Sequence, residues 1–282
     1  MRAHVLGIDH VIVLVRDLDA AREDYARLGF TISPRGTHSA HMGTGNHTIM
    51  LERDYFEVLG VLAPTDANAR WREFLDRREG MSGVALKTDD AAAAAAEMRA
   101  IGVAAADPVH FSRPVDLPGG GKSAAAFNTT QFPPDATPGG RMFCCQHLTM
   151  PATWIPSLMT HANTAYGLAE VLLATDDPAG TAAAYARIFD RGTAPVAGGV
   201  AVATGNTPLV LLTPAALKAR YPGTDLSGLP APALAGFVVK VRSRDRAKAA
   251  LAAGGARYAE EGASLVVGPT AARGVVLEMR PV

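Results

Sequence analysis

Gly7-Ile8-Asp9-His10-Val11-Ile12-Val13-Leu14-Val15 is the stretch from which the rest of the chain is read, because a strand of this kind, followed by a helix and more strands, returns three more times. Alternation along a strand puts His10 on one face with Ile8, Ile12 and Leu14, and Val11, Val13 and Val15 on the other. Both faces are apolar, as in a strand buried on two sides. An imidazole in that setting needs a partner, and the usual ones are a hydrogen-bonding group or a metal ion.

Working outward, residues 17–29 carry an aspartate suited to cap a helix, a glycine suited to end it, and Leu18, Ala21, Tyr25 and Leu28 on one helical face. Strands are expected over 30–33, 47–51 and 55–61. The same order reappears from Gly80, with an alanine-rich helix to Gly102 and strands over 109–115, 124–130 and 141–147. Leu117-Pro118-Gly119-Gly120-Gly121 and residues 133–140 read as turns. Residues 151–165 read as a connector bearing Trp154 and His161.

A third unit opens at Gly167, with Pro178 at a first helical turn and strands over 199–204 and 207–213. A proline-rich bridge over 214–232 leads to a fourth unit that starts at Leu234 and closes over 274–279. Four units of roughly 60 to 80 residues are too long for a solenoid and suit paired modules.

Lysine plus arginine (27) balances aspartate plus glutamate (27), so no long-range field draws in nucleic acid or an anionic membrane. Small molecules are the expected partners. The N-terminal segment lacks a signal-peptide pattern, and no stretch reaches about 18 uninterrupted apolar residues. Cys144 and Cys145 are adjacent, where a disulfide would be strained, so a reducing, cytoplasmic setting is expected.

With Ile8-Asp9-His10-Val11 opening the first unit and Tyr55-Phe56-Glu57-Val58 closing it, the four-copy βαβββ pattern resembles the vicinal oxygen chelate superfamily. His38 followed by Gly43-Thr44-Gly45-Asn46, with Phe143 and Cys145-Gln146-His147 later, resembles the glyoxalase-like domain family over about residues 5 to 175. The resemblance implies an α+β protein of the glyoxalase/bleomycin resistance/dioxygenase fold. Its tandem βαβββ modules would form two curved mixed-sheet cups, with domains over 1–160 and 161–282.

It also implies a divalent metal (Zn, Ni, Mn or Fe) in the first cup, with one ligand from a module's first strand and one from its last. His10 and Glu57 occupy those positions, and His147 is the third candidate ligand. Glu57 is the candidate catalytic group. His38, Asn46, His110 and Phe127 are candidate substrate contacts. The second module offers Gly83 at the histidine position and, by glycine alignment, Cys144 at the glutamate position. In the later half Glu170 aligns with His10 and Phe237 fills the next first-strand position, while Glu278 closes the last strand.

The implied activity is a metal-dependent lyase or isomerase. The alternative is a metal-free protein that sequesters a small molecule, as bleomycin-resistance members do. An extradiol dioxygenase ranks behind both, because Gly83 and Phe237 deny it a second first-strand histidine. A homodimer is the assembly considered, and a pairing of first module with fourth, around His10, Glu57 and Glu278, is a further arrangement.

Overall fold

In the computed structural model, residues 1–117 and 120–282 are described, with Asp116 described through its backbone alone. The first half runs β1 (Gly7–Val15), α1 (Leu18–Arg27), β2 (Gly36–Thr37), β3 (Thr44–Met50), β4 (Tyr55–Val61), α2 (Ala69–Arg77), β5 (Gly80–Lys87), α3 (Ala91–Ala100), β6 (Val109–Asp116), β7 (Lys122–Gln131) and β8 (Arg141–His147). The second runs β9 (Ala165–Ala174), α4 (Pro178–Phe189), β10 (Thr193–Val196), β11 (Gly199–Val202), β12 (Leu209–Leu212), α5 (Pro214–Arg220), β13 (Ala233–Val241), α6 (Arg244–Ala253), β14 (Ala259–Glu261), β15 (Ser264–Val267) and β16 (Val276–Pro281).

Each half builds one eight-stranded sheet, in the orders β2-β3-β4-β1-β5-β8-β7-β6 and β10-β11-β12-β9-β13-β16-β15-β14. Within a module the first strand lies parallel to the last, and the two first strands of a pair meet antiparallel, β1 on β5 and β9 on β13. Modules therefore pair in sequence order. The first-with-fourth arrangement is not what forms, since Glu278 lies on β16 in the other sheet from His10.

The helices start where their caps dictate: the side chains of Asp17, Asp90, Asp177 and Ser243 each accept a backbone N–H of the first turn. One continuous core joins α1, α3, α4 and α6 with the convex faces of both sheets, and it includes Val11, Val13, Tyr25 and Phe56 from one half and Phe237, Val239 and Leu251 from the other. Phe56 and Phe237 meet across the seam with ring centroids 5.0 Å apart. Each concave face carries its own apolar cluster.

The polar seam is also paired. Asn206 brackets the backbone of Ile8, and His161 accepts from the Thr31 amide while donating to the Met50 carbonyl. The Leu168 amide donates to Asp54 Oδ1 at 2.9 Å.

Some expected elements differ. Residues 30–33 form no ladder, and the second strand is the two-residue β2. Two helices stand outside the elements expected from periodicity: α2, and α5, which starts at Pro214 inside the proline-rich bridge with Thr213 as its cap. The turn expected at 117–121 lies partly outside the described residues.

Candidate functional site in the first cup

The register of β1 against β5 slips between Ile8 and His10, so Asp9 is an extra residue in the ladder. A bulge of this kind breaks alternation and re-aims side chains. Ile8 consequently joins Val11 and Val13 in the convex-side core, while Ile12 and Leu14 belong to the cup. The expectation that His10 shares a face with Ile8 is corrected by this bulge. His10 lines the cup with Ile12.

The same bulge lets two consecutive side chains meet. Asp9 is fully buried, and its Oδ1 accepts from His10 Nδ1 at 2.8 Å and from His147 Nε2 at 2.9 Å. Burial opposes the charge on Asp9, but the two imidazole hydrogen bonds prevail and hold its carboxyl well below the usual range. Asp9 Oδ2 and His147 Nδ1 are buried without a hydrogen-bond partner among the described residues.

With Nδ1 committed to Asp9, His10 presents Nε2 to the cavity, 3.9 Å from Glu57 Oε2. Asn46 Nδ2 donates to the other oxygen, Glu57 Oε1, at 2.5 Å. Aromatic rings fix the imidazoles: Tyr55 stacks on His10 at 4.2 Å, and Phe127 and Trp154 each lie edge-on to His147 at 4.9 Å.

His147 reaches this group because β8 runs regularly against β7, with Phe127 opposite His147 and Thr129 opposite Cys145. Arg141, Phe143, Cys145 and His147 thus share the cup face, while Cys144 is in the convex-side core with its thiol pushed up by burial. The expected alignment of Cys144 with Glu57 is off by one. Glu57 pairs with Ile12, and Phe143 pairs with Ala85 at the equivalent place. The His10 position of the fourth module likewise falls to Gly236 rather than Phe237, since Ile12 faces Gly83 as Leu172 faces Gly236.

A cavity of about 300 Å³ opens in front of these residues. His38, Asn46 and Phe127 line it, with His38 Nδ1 2.8 Å from Thr44 Oγ1 and its pKa lowered by burial. His110 does not line it. On β6 it alternates with Val109 and Phe111, which face the cavity, and it is exposed and bonded to Asn128. Trp71 and Leu75 of α2 pack over the cup. Asp9 and the cavity arginines Arg70, Arg113 and Arg141 are residues that pattern reasoning passed over. A charge in an otherwise apolar strand was the available signal for Asp9.

The donor set answers whether a divalent metal fits. Asp9, His10 and His147 place a carboxylate and two imidazoles with donor atoms within 4.8 Å of one another, and two of the three residues keep an unpartnered buried atom. That chemistry suits zinc, manganese, nickel or iron. Glu57 stands outside the group, on the cavity side of His10.

Paired βαβββ modules curled around such a group define a protein of the vicinal oxygen chelate class. The chain belongs to the glyoxalase-like domain family, whose profile matches residues 8–189. No curated protein matches the chain.

Among solved structures, a hypothetical protein from Staphylococcus aureus aligns over 98% of this chain and 99% of its own, with TM-score 0.67 and 11% identity. A mutant of 4-hydroxymandelate synthase from Streptomyces coelicolor aligns over 90% and 76%, with TM-score 0.57 and 14% identity. A xylose isomerase-like TIM barrel/4-hydroxyphenylpyruvate dioxygenase fusion protein aligns over 99% of this chain and 49% of its own, with TM-score 0.58 and 15% identity. At these identities the likeness is one of fold.

Proposed function

We propose that the chain is a glyoxalase-like enzyme that acts on a small molecule in the first cup, as a metal-dependent lyase or isomerase. The observation that supports this reading is a single one: His10, oriented by buried Asp9, faces Glu57 at 3.9 Å where both meet the cavity. With Nε2 of His10 turned to the same point, the Glu57 carboxylate is placed to take a proton from a substrate carbon and return it. Asn46 holds Glu57 Oε1, which leaves Oε2 as the proton-accepting atom.

His10 and His147 would hold the ion, with Glu57 or Asp9 as the carboxylate. Such an ion supplies Lewis-acid polarisation of a substrate oxygen. His38 and Phe127 border the bound molecule.

Elemental analysis of protein purified without chelators tests the reading. Near-stoichiometric zinc, nickel, manganese or iron is expected, and His10→Ala should abolish it with the fold retained. Comparing Glu57→Gln with Asp9→Asn identifies which carboxylate is a ligand. Metal retained by His10→Ala overturns the ligand assignment. Absence of metal from the wild type overturns the metal reading and favours a sequestering protein, which the aromatic lining and the ligand-free Gly83 and Phe143 positions would suit. A homodimer is the assembly to test by sedimentation. Among the described residues no helix is long and apolar enough to cross a membrane.

A further inference from the structure

Three guanidinium groups, those of Arg70, Arg113 and Arg141, line the cavity, against one carboxylate, that of Glu57. The chain as a whole is neutral, so the excess of positive charge is local to this wall. Among the described residues none of the three arginines forms an ion pair, whereas Arg220, Arg273 and Arg280 do.

Arg141 is the most confined of the three. Its Nε and Nη2 both donate to one neutral acceptor, Gln131 Oε1, at 2.9 and 2.6 Å. Its guanidinium lies over the Phe143 ring at 4.3 Å and 5.8 Å from the Trp71 ring. A guanidinium has five N–H donors in a planar fork shaped for a carboxylate. Two are taken here by Gln131. Burial, with Arg70 nearby, pushes its pKa down to about 9, against a smaller opposing pull from Glu57.

Arg113 faces the same space from β6, beside Gly36. A Cβ at Gly36 would stand 2.9 Å from Arg113 Nη1 and 2.3 Å from Asn46 Oδ1, so the glycine makes room for both polar ends. Around this charge the walls are rings: Tyr55, Trp71, Phe111, Phe127 and Phe143.

We propose that the first cup takes a small aromatic carboxylate, with Arg141 as the receptor for the carboxylate group, Arg113 assisting, and the aromatic walls clasping the ring. The proposal rests on the functional reading above in taking this cavity as the substrate site, and it assigns the class of substrate. A buried arginine and an aryl acid compensate each other, because the ligand supplies the missing counter-charge in a water-poor setting where a bidentate bond is strong. The cavity of about 300 Å³ has room for one ring and its acid group.

Isothermal titration with benzoate and its neutral isostere benzamide tests this, on protein as purified and again after chelation, so that a bound ion does not stand in for the arginine. Benzoate is expected to bind at least tenfold more tightly than benzamide in both preparations. Arg141→Gln should reduce benzoate to the level of benzamide, Arg141→Lys should restore part of the difference, and Arg113→Gln should cost less. Arg141→Gln should melt no lower than wild type, since it removes an unpaired cation. Equal affinities, no binding of either probe, or a benzoate preference that survives Arg141→Gln would each overturn the proposal. A benzoate preference in protein that carries no metal as purified would leave this inference standing and remove the metal-enzyme reading; metal in the purified protein without the preference would do the reverse.

Discussion

The two cups have the same strand order and opposite contents. In the first, His10 faces Ala85 across the β1–β5 seam; in the second, Glu170 faces Val238 in the same place. Glu57 on β4 keeps one hydrogen bond, from Asn46, and otherwise looks at His10 and a cavity. Glu278 on β16 is tied down on every side. It accepts from Tyr221 Oη at 2.6 Å, Ser264 Oγ at 2.7 Å, Arg280 Nε at 2.8 Å and Arg220 Nη2 at 3.0 Å. Arg220 and Arg280 also bind Glu170, at 2.7 and 2.6 Å.

The helices that cover the cups explain the contrast. Helix α5 sends Leu217 and Tyr221 into the second cup, where they are buried against Val210, Leu212 and Val238. Helix α2 lays Trp71 across the first cup and leaves space beneath it. One scaffold thus supports a closed ion-pair network in one half and an open, unbalanced wall in the other. A carboxylate satisfied by its own chain is structural; one left facing a cavity is available for chemistry.

The largest expected effect separates the halves by pH. Glu278 has its carboxyl held down to about 2: burial opposes the charge, but the Arg280 and Tyr221 bonds outweigh it. With the folded pKa below the unfolded value, its contribution is full above pH 4.5 and is lost as pH falls toward 2, about 3 kcal/mol in all. Asp54, buried at the seam, is pushed the other way, to about 7, by burial against a single backbone donor, Leu168. Its contribution is full below its ordinary value of 3.8 and is lost as pH rises through 7, on the order of 4 kcal/mol. Urea titrations from pH 3 to 8 should show both limbs, and Asp54→Asn should flatten only the alkaline one. A flat neutral limb in the wild type would break the account of the seam.

Next in size is the matched pair Glu278→Gln and Glu57→Gln. The former breaks a buried network and should cost about 3 kcal/mol, and the latter should cost below about 1 kcal/mol while removing activity. Equal costs by denaturant unfolding would mean that the first cup is as closed as the second. The smallest effect expected is from Gly36→Ala. Its methyl displaces the end of Arg113 and the Asn46 amide that holds Glu57, so stability should fall by at most about 1 kcal/mol while small-molecule affinity falls. Unchanged affinity would place the ligand away from that edge.

Much of this contrast was legible in residue pattern. The modules and the capped first helix follow from alternation and from Asp and Gly at helix ends, while the pairing of His10 with Glu57 comes from the family resemblance. The failures have one kind of cause. Asp9 was passed over because alternation sends it to the face opposite His10, and a single bulge against β5 reverses that. Cys144 was set beside Glu57 because glycine alignment is blind to a one-residue register difference. His110 was placed in the cup although it sits on the outer face of β6. Helix α5, seven residues opening on a proline, was too short for its periodicity to stand out.

What the sequence determined by itself is therefore the class of fold and the strand on which the site is built, since hydrophobic periodicity and capping act over a few neighbouring residues. The tertiary structure alone decided that Asp9 joins His10 and His147, 138 residues apart along the chain at its widest, that the second cup is filled, and that Arg141 forms no ion pair among the described residues. Those facts depend on bulges, register and long-range ion pairing, which are set when distant strands meet and leave no local periodicity behind.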